Sequence, residues 1–438
     1  MGTRMTIDPR PAVMPHGSSA HVLNQHCFCR TLNVPRLHAQ LESDPSLHGL
    51  TRQMAQTHPH LFSSTAVFLA SETAQQITQL VAAIERVVAL PAYQAQALAR
   101  APALAQHGFG PVGACMGFDF HLSATGPQLI EINTNAGGLL LNLALARAQE
   151  ACCAAMDEAC SANTRLDTLA STVLAMFQSE WQRQRGAAPW RSVLIVDTSP
   201  ATQYLAPEFE LFRQLFQSHG VAARIADPAE LLWRDGQLWH AGAPVDMVYN
   251  RLTDFALAEP MHQALRQAYE AGVVVLTPNP HSHALYADKR NLIALSQPAL
   301  LAAWGVSPDD VRLLSAGVPP TELVTRAQAD DLWARRRQLF FKPVAGFGAK
   351  AAYRGDKLTR RVWEEILAGD FVAQALVPPS ARWVEVEGVP TDLKFDVRAY
   401  TYNGQIQLLA ARMYAGQTTN FRTEGGGFAP VVVLPPLG

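Results

Sequence analysis

Gly117-Phe118-Asp119-Phe120-His121, answered downstream by Leu129-Ile130-Glu131-Ile132-Asn133-Thr134-Asn135-Ala136-Gly137-Gly138, is the stretch from which the fold can be read. Apolar and polar residues alternate through both halves, and Ala124-Thr125-Gly126-Pro127 separates them. The spacing predicts a hairpin over residues 115–122 and 128–133. On a strand, side chains two apart share a face. Glu131 and Asn133 therefore project together, and Asp119 on the partner strand can face them. Two carboxylates and an amide oxygen make a hard, oxygen-only set of the kind that suits Mg²⁺ bridging phosphates. A solvated hairpin face is the plainer alternative, but acidic groups set inside an apolar stretch generally have a charge partner.

Outward from this hairpin the rhythm changes. Upstream, residues 71–101 carry apolar side chains at helical spacing through Ile77, Leu80, Ile84 and Val88. Residues 1–50 are rich in His, Pro and Ser and show little periodicity. Downstream, Gly137 and Gly138 lead into a Leu/Ala-rich helix expected to run to about Arg185, and Gly186-Ala187-Ala188-Pro189 reads as a linker. Strands over 192–197, 222–226, 246–250 and 273–277 then alternate with helices over 208–220 and 259–271, which implies a parallel α/β unit. Four regions are expected: 1–110, helical; 111–187, the acidic hairpin and long helix; 188–298, the parallel unit; and 299–438, short strands with glycine turns.

Three later motifs carry chemistry. In Leu339-Phe340-Phe341-Lys342-Pro343-Val344-Ala345-Gly346-Phe347-Gly348-Ala349-Lys350, an apolar strand delivers Lys342 to a pocket and a loop with Gly346 and Gly348 follows. Glycines let backbone N–H groups approach phosphate oxygens, and lysine supplies a compact positive charge. The Gly-Lys-Ser/Thr ending of a Walker A loop is missing, and by itself the segment also suits a hairpin turn. Residues 370–379 form an apolar strand closed by two prolines, able to offer backbone groups to an adenine edge or simply to be core. Residues 393–402 place Lys394, Asp396 and Arg398 on one face, turn at Asn403 and Gly404, and return with Arg412. A Thr/Asn/Gly-rich loop then carries Arg422. Arginines converging on a nucleotide can neutralise a transferring phosphoryl group or grip a carboxylate; surface salt bridges are the bland alternative.

Composition narrows the class. The chain has 438 residues, a formal charge of −2 and 48% hydrophobic residues, so neither a nucleic-acid nor a membrane footprint is written into it. The six cysteines are spaced for neither a zinc ribbon nor a disulfide framework. Reduced thiols in a cytoplasmic protein are the simplest expectation, with Cys27 and Cys29 beside His21 and His26 the only pairing that invites a metal.

Taken together, these elements resemble the ATP-grasp superfamily. The run from Asp396 through Arg398 and Arg412 to Asn420, Gly425 and Gly426 is similar to the corresponding stretch of bacterial glutathione synthetase. In that family the acidic metal motif follows this stretch; here it precedes it. That order resembles eukaryotic glutathione synthetase, a circularly permuted ATP-grasp enzyme. Glu131-Ile132-Asn133-Thr134 with Gly137-Gly138-Leu139, Val248-Tyr249-Asn250-Arg251, Ala287-Asp288-Lys289 and Lys342-Pro343 all follow in its order.

The resemblance implies a mixed α/β, circularly permuted ATP-grasp fold with an inserted parallel α/β substrate domain. It implies a Mg²⁺-dependent ligase that uses ATP to join a small-molecule carboxylate to an amine through an acyl-phosphate, on amino acids or short peptides, with a homodimer among the expected assemblies. Lys289, Lys342, Gly346, Gly348 and Asp396 would hold ATP, with Ala373 and Gln374 at the adenine hinge. Asp119, Glu131 and Asn133 would hold Mg²⁺. Arg251, Asn420, Arg422, Gly425 and Gly426 would contact substrate, with residues 425–427 closing over the intermediate, while Arg398 and Arg412 act on the developing acyl-phosphate. The chain departs from the family at three places. Val344, Ala345 and Gly346 replace a metal-binding Glu in a triple-glycine loop, which is expected to shift metal binding toward Asp119. Gln374 stands where an acid is usual, and the loop before Asp119 lacks the family's arginine, so glutathione is not the expected product. A phosphotransferase on the same nucleotide site, or a nucleotide-binding regulator without catalysis, are the competing readings.

Overall fold

In a computed structural model, which describes residues 19–151, 156, 165–346 and 351–435, the decisive hairpin consists of Met116–Ser123 and Gly126–Asn133. A register shift between Asp119 and Phe120 sets Asp119 directly opposite Glu131. On its other side Asp119 faces Arg398 of the strand Val389–Tyr402, on which Asp396 in turn faces Arg412 of Gln405–Tyr414. Directly paired residues share a face of the sheet, so alternation and register together put five charges on one side. The other side of the same strands carries Phe118, Phe120, Ile132, Phe395, Val397 and Ala399. These bury against Ile77, Leu80, Val81 and Ile84 of the helix Ser71–Val88.

This sheet has seven strands, in the order Val67–Ala70, Gly427–Leu434, Gln405–Tyr414, Val389–Tyr402, Met116–Ser123 and Gly126–Asn133, with Ser380–Val386 paired to the near half of Val389–Tyr402. Its first two strands run parallel, Val67 opposite Val431. A second sheet is wholly parallel, ordered Val275–Thr277, Met247–Asn250, Ser192–Val196 and Ala222–Ala226. A third is antiparallel, ordered Thr321–Leu323, Phe371–Ala375, Leu339–Pro343 and Tyr353–Arg354.

Several elements differ from their expected bounds. The helix expected to reach Arg185 stops at Arg147, because residues 148–150 turn aside to pair with 31–33: Asn33 N–H donates to Ala148 O and Glu150 N–H to Thr31 O, at 2.9 and 2.8 Å. A second helix occupies Arg165–Arg185; Cys152, Cys153 and Cys160 lie outside the described residues. The helix expected over 71–101 is two, Ser71–Val88 and Pro91–Leu98, since Pro91 offers no N–H to continue the first. The segment from Glu259 begins as a single 3₁₀ turn, Pro260–His262, before Gln263–Glu270. The aperiodic start of the chain holds Ser19–His26 and Val34–Leu41, the latter burying Leu37 and Leu41.

Glu180 fastens the parallel sheet to the central one. Fully buried on Arg165–Arg185, it accepts from Val112 N–H (3.0 Å), Gly113 N–H (2.9 Å), Thr277 Oγ1 (2.6 Å) and Tyr402 Oη (2.9 Å). Four donors satisfy a carboxylate that would otherwise be costly to bury. Among the described residues, no helix is long and apolar enough to cross a membrane.

Candidate active site

The charged face of the central sheet, the third sheet and the carboxyl edge of the parallel sheet enclose a cavity of about 990 Å³. At one end stands Lys342, which the strand Leu339–Pro343 carries inward. Its Nζ donates to Ile130 O at 2.6 Å and to Gln374 Oε1 at 2.9 Å, and burial brings it down to about 8, an effect that Glu131 and Asp119 oppose. Lys289 approaches the same loop, donating from Nζ to Gly346 O at 3.0 Å. Two ammonium groups with few carboxylate partners, beside a glycine backbone, form an anion cradle. Gly348 lies outside the described residues.

Four residues, Gln374 to Val377, line the adjoining wall. Ala373, expected beside Gln374, turns its side chain into the core with Phe341 and Trp363 and lies between Glu322 and Phe341 in the sheet. His121 also reaches this wall, its Nδ1 bonded to Val377 O at 2.7 Å, and burial lowers its pKa, so the ring is neutral at pH 7.

The charged face holds a corrected assignment. Asp119 was expected among the metal ligands and Asp396 among the ATP contacts, yet both are completely buried and neither lines the cavity. Asp119 receives Arg398 in a bidentate grip (Nε–Oδ1 2.6 Å, Nη2–Oδ2 2.7 Å) and Arg412 Nη2 at 2.8 Å. Asp396 accepts from Arg412 Nε at 2.7 Å and Thr419 Oγ1 at 2.6 Å. Burial pushes the Asp119 carboxyl up, but the two guanidinium groups prevail and hold it well below the usual carboxylate range. These aspartates orient the arginines rather than meet a ligand. Arg398 and Arg412 themselves line the cavity.

Glu131 and Asn133 line it too. Asn133 Nδ2 donates to Asp119 Oδ2 (3.0 Å) and Glu131 Oε1 (3.2 Å). With the amide nitrogen committed to two carboxylates, the carbonyl Oδ1 is what remains for a ligand. Among the described residues no cluster of three His, Cys, Asp or Glu side chains forms a protein-only metal cage. Glu131 and Asn133 together suit a Mg²⁺ ion that takes its other ligands from phosphates and water.

The loop expected to close over the site also moves. Gly425 and Gly426 are packed beneath the sheet: a Cβ on Gly425 would lie 2.8 Å from Val386, and one on Gly426 2.5 Å from Met413 O. Residues 417–422 face the cavity instead. Asn420 ties that loop to itself, accepting on Oδ1 from Arg422 N–H and Thr423 Oγ1, both at 3.0 Å, and donating to Ala415 O at 2.8 Å. Arg422 stands exposed at the rim, and the Phe421 ring stacks on Tyr204 at 5.4 Å.

At the opposite end, Arg251 is buried, with Nη1 donating to Asn135 O at 2.9 Å. Gly137 lies against it, and a Cβ there would come within 2.9 Å of Nη2. Beside Arg251, Glu208 caps the helix Leu139–Arg147, accepting from Gly138 N–H (2.7 Å) and Leu140 N–H (3.1 Å). Asp197 completes this end. Sequence reasoning passed over it and over His121, Tyr204 and Phe421; for Asp197 the available signal was its place just beyond a parallel strand, where α/β sheets bind ligands.

No family model matches the chain, and no curated protein matches its sequence. Among solved structures it is similar to an apo glutathione synthetase-like effector from Globodera pallida, at a TM-score of 0.53 and 13% identity, over 90% of this chain and 98% of that one. The fold is ATP-grasp-like. A putative gamma-glutamylcysteine synthetase from Methylobacillus flagellatus aligns at a TM-score of 0.45 and 10% identity, over 81% of this chain and 86% of that one. The ATP-grasp ligase PsnB, complexed with a minimal precursor, aligns at 0.28 and 16% identity, over 53% of this chain and 78% of that one. Within this ATP-grasp-like fold, the acidic hairpin comes earlier in the chain than the lysine and arginine strands with which it shares the cavity.

Proposed function

We propose that this chain is an ATP-dependent carboxylate–amine ligase built on a circularly permuted ATP-grasp core. Residues 111–187 and 299–438 would form that core, 188–298 a substrate-side unit and 1–110 a flanking helical region. One observation carries the reading: Lys289, Lys342, Glu131, Asn133, Arg398 and Arg412, drawn from distant parts of the chain, all line one cavity.

In this reading Lys289 and Lys342 hold the phosphates of ATP, and residues 374–377 take the base. Glu131 and Asn133 Oδ1 hold Mg²⁺, which when bound withdraws charge from the phosphate oxygens. A substrate carboxylate attacks the γ-phosphorus, ADP departs, and an acyl-phosphate forms. Arg412 and Arg398, fixed in place by Asp119 and Asp396, neutralise charge on the transferred group without reorganising. The amine then attacks the acyl carbon, forming the C–N bond and expelling phosphate. Residues 417–422 cover the site, since an acyl-phosphate exposed to water hydrolyses.

An ADP-release screen over pairs of amino acids and short peptides, with mass spectrometry of the products, tests this. The expected result is ADP together with an amide, both abolished in Glu131→Gln while its melting curve is retained. A stable phosphorylated product formed from a single substrate would replace the ligase with a phosphotransferase. Turnover surviving in Glu131→Gln would remove the metal assignment.

A further inference from the structure

We propose that the end of the cavity bounded by the parallel sheet receives an α-amino-acid headgroup, free or at a peptide end, whose side chain is bulky and apolar. This deepens the ligase reading and rests on it for the role of the bound molecule, though binding can be judged separately.

The headgroup site follows from topology. Strands Ser192–Val196 and Met247–Asn250 are parallel neighbours in which Val196 lies opposite Asn250, and Arg251 N–H donates to Val196 O at 2.8 Å. The next residue on each strand is therefore its neighbour's counterpart at the carboxyl edge: Asp197 on one, Arg251 on the other. Both line the cavity, and both are more than nine-tenths buried, at 9% and 7% exposure. No hydrogen-bonded ion pair joins them among the described residues, although each feels the other's charge and Glu208 also acts on Arg251.

Each has capacity to spare. Arg251 anchors Nη1 on Asn135 O and Tyr249 Oη, while its Nη2, beside Gly137, makes no hydrogen bond among the described residues. Glu208, whose oxygens accept from Gly138 and Leu140 N–H, makes no hydrogen bond to Arg251 among the described residues. A buried guanidinium N–H without an acceptor is costly, and a ligand carboxylate relieves the cost. Asp197 commits Oδ1 to Thr198 N–H at 2.8 Å and leaves Oδ2. Burial raises the Asp197 carboxyl to about 6, with Asp227 pushing the same way and Arg251 and His262 opposing. It is thus anionic at neutral pH in a desolvated place, which favours an ammonium partner. Acid and base at adjacent strand ends match the two charges of an amino acid.

The side chain is read from the walls. Phe209 lies within 5.9 Å of the Arg251 guanidinium, and Leu205 meets the adjacent Gly137. Tyr204 and Phe421 close the same end from the rim as a stacked pair. Aromatic rings that line a partly dry pocket reward apolar surface and penalise an unpaired charge.

Calorimetric titrations with L-phenylalanine, 3-phenylpropionate, phenethylamine, L-alanine and L-aspartate, run with and without Mg·AMP-PNP, test the proposal. L-Phenylalanine should bind at least about tenfold more tightly than either analogue lacking one charge, and more tightly than L-aspartate. Asp197→Asn should erase the preference for L-phenylalanine over 3-phenylpropionate, while its AMP-PNP affinity and melting temperature stay at wild-type values. Phe421→Ala should weaken L-phenylalanine but not L-alanine. Equal binding of the three phenyl compounds, tight binding of L-aspartate, or no binding of L-phenylalanine in either condition would overturn the headgroup site. Failure to bind AMP-PNP, by contrast, would condemn the ligase reading while the amino-acid series still decides this one.

Discussion

At the scale of single residues, the site works by burying charges that constrain one another. Lys342, brought down to about 8 by burial, is protonated below that pH and neutral above it. Nucleotide affinity should therefore fall as pH rises through about 8, a dependence that Lys342→Met abolishes together with most binding; fluorescence titration across roughly 1.5 pH units on either side of that value measures it. Asp119 titrates the opposite way. Its carboxyl is held below the usual range, so its pairing with Arg398 and Arg412 stabilises the fold above that range and is lost as pH falls through it. Asp119→Asn, which leaves two buried guanidinium groups short of a counter-ion, should cost about 3–5 kcal/mol in urea denaturation. Both residues could be picked out from alternation along apolar strands. Their roles could not be separated, because which of Asp119 and Glu131 faces the arginines depends on a strand whose place in the sheet is set nearly three hundred residues away.

At the scale of elements, close backbone approach decides what the sequence tolerates. Gly138 sits at φ +100° at the start of Leu139–Arg147, where a Cβ would come within 2.3 Å of Phe428 and 2.8 Å of Tyr400 Oη. Gly138→Ala should destabilise the fold by about 1–3 kcal/mol, visible as a lower melting temperature. The same crowding explains why Gly425 and Gly426 are not a mobile cover: they are small because neighbours press on them, a reason that a glycine-rich string does not distinguish from flexibility. The strand and helix pattern of 192–277 was legible because each element is short, apolar and bounded by turn residues. The break after Arg147 was not, since it arises from pairing with residues 31–33, whose own sequence is aperiodic.

At the scale of the whole molecule, the cavity is bounded by three sheets, so an occupant adds a bridge to those that Glu180 and Lys342 already make. A Mg·ATP analogue at a hundred times its Kd should stabilise the fold by about 2.7 kcal/mol, and thermal denaturation of Glu131→Gln or Lys342→Met should show a much smaller gain. Motif order pointed to Lys289, Lys342, Glu131, Asn133, Arg398 and Arg412, which line one cavity, but not to the packing of Asp119, Asp396, Gly425 and Gly426 behind its wall, and the carboxyl-edge placement of Asp197 emerged only once the parallel strands were aligned. The central sheet adds a constraint on biosynthesis. Its strand Val67–Ala70 has Gly427–Leu434 as its partner, and that partner also carries Phe428 into the core. During translation the edge of Val67–Ala70 stays open until the segment from Gly427 onward emerges, so chains cut short before Gly427 should expose that edge and aggregate.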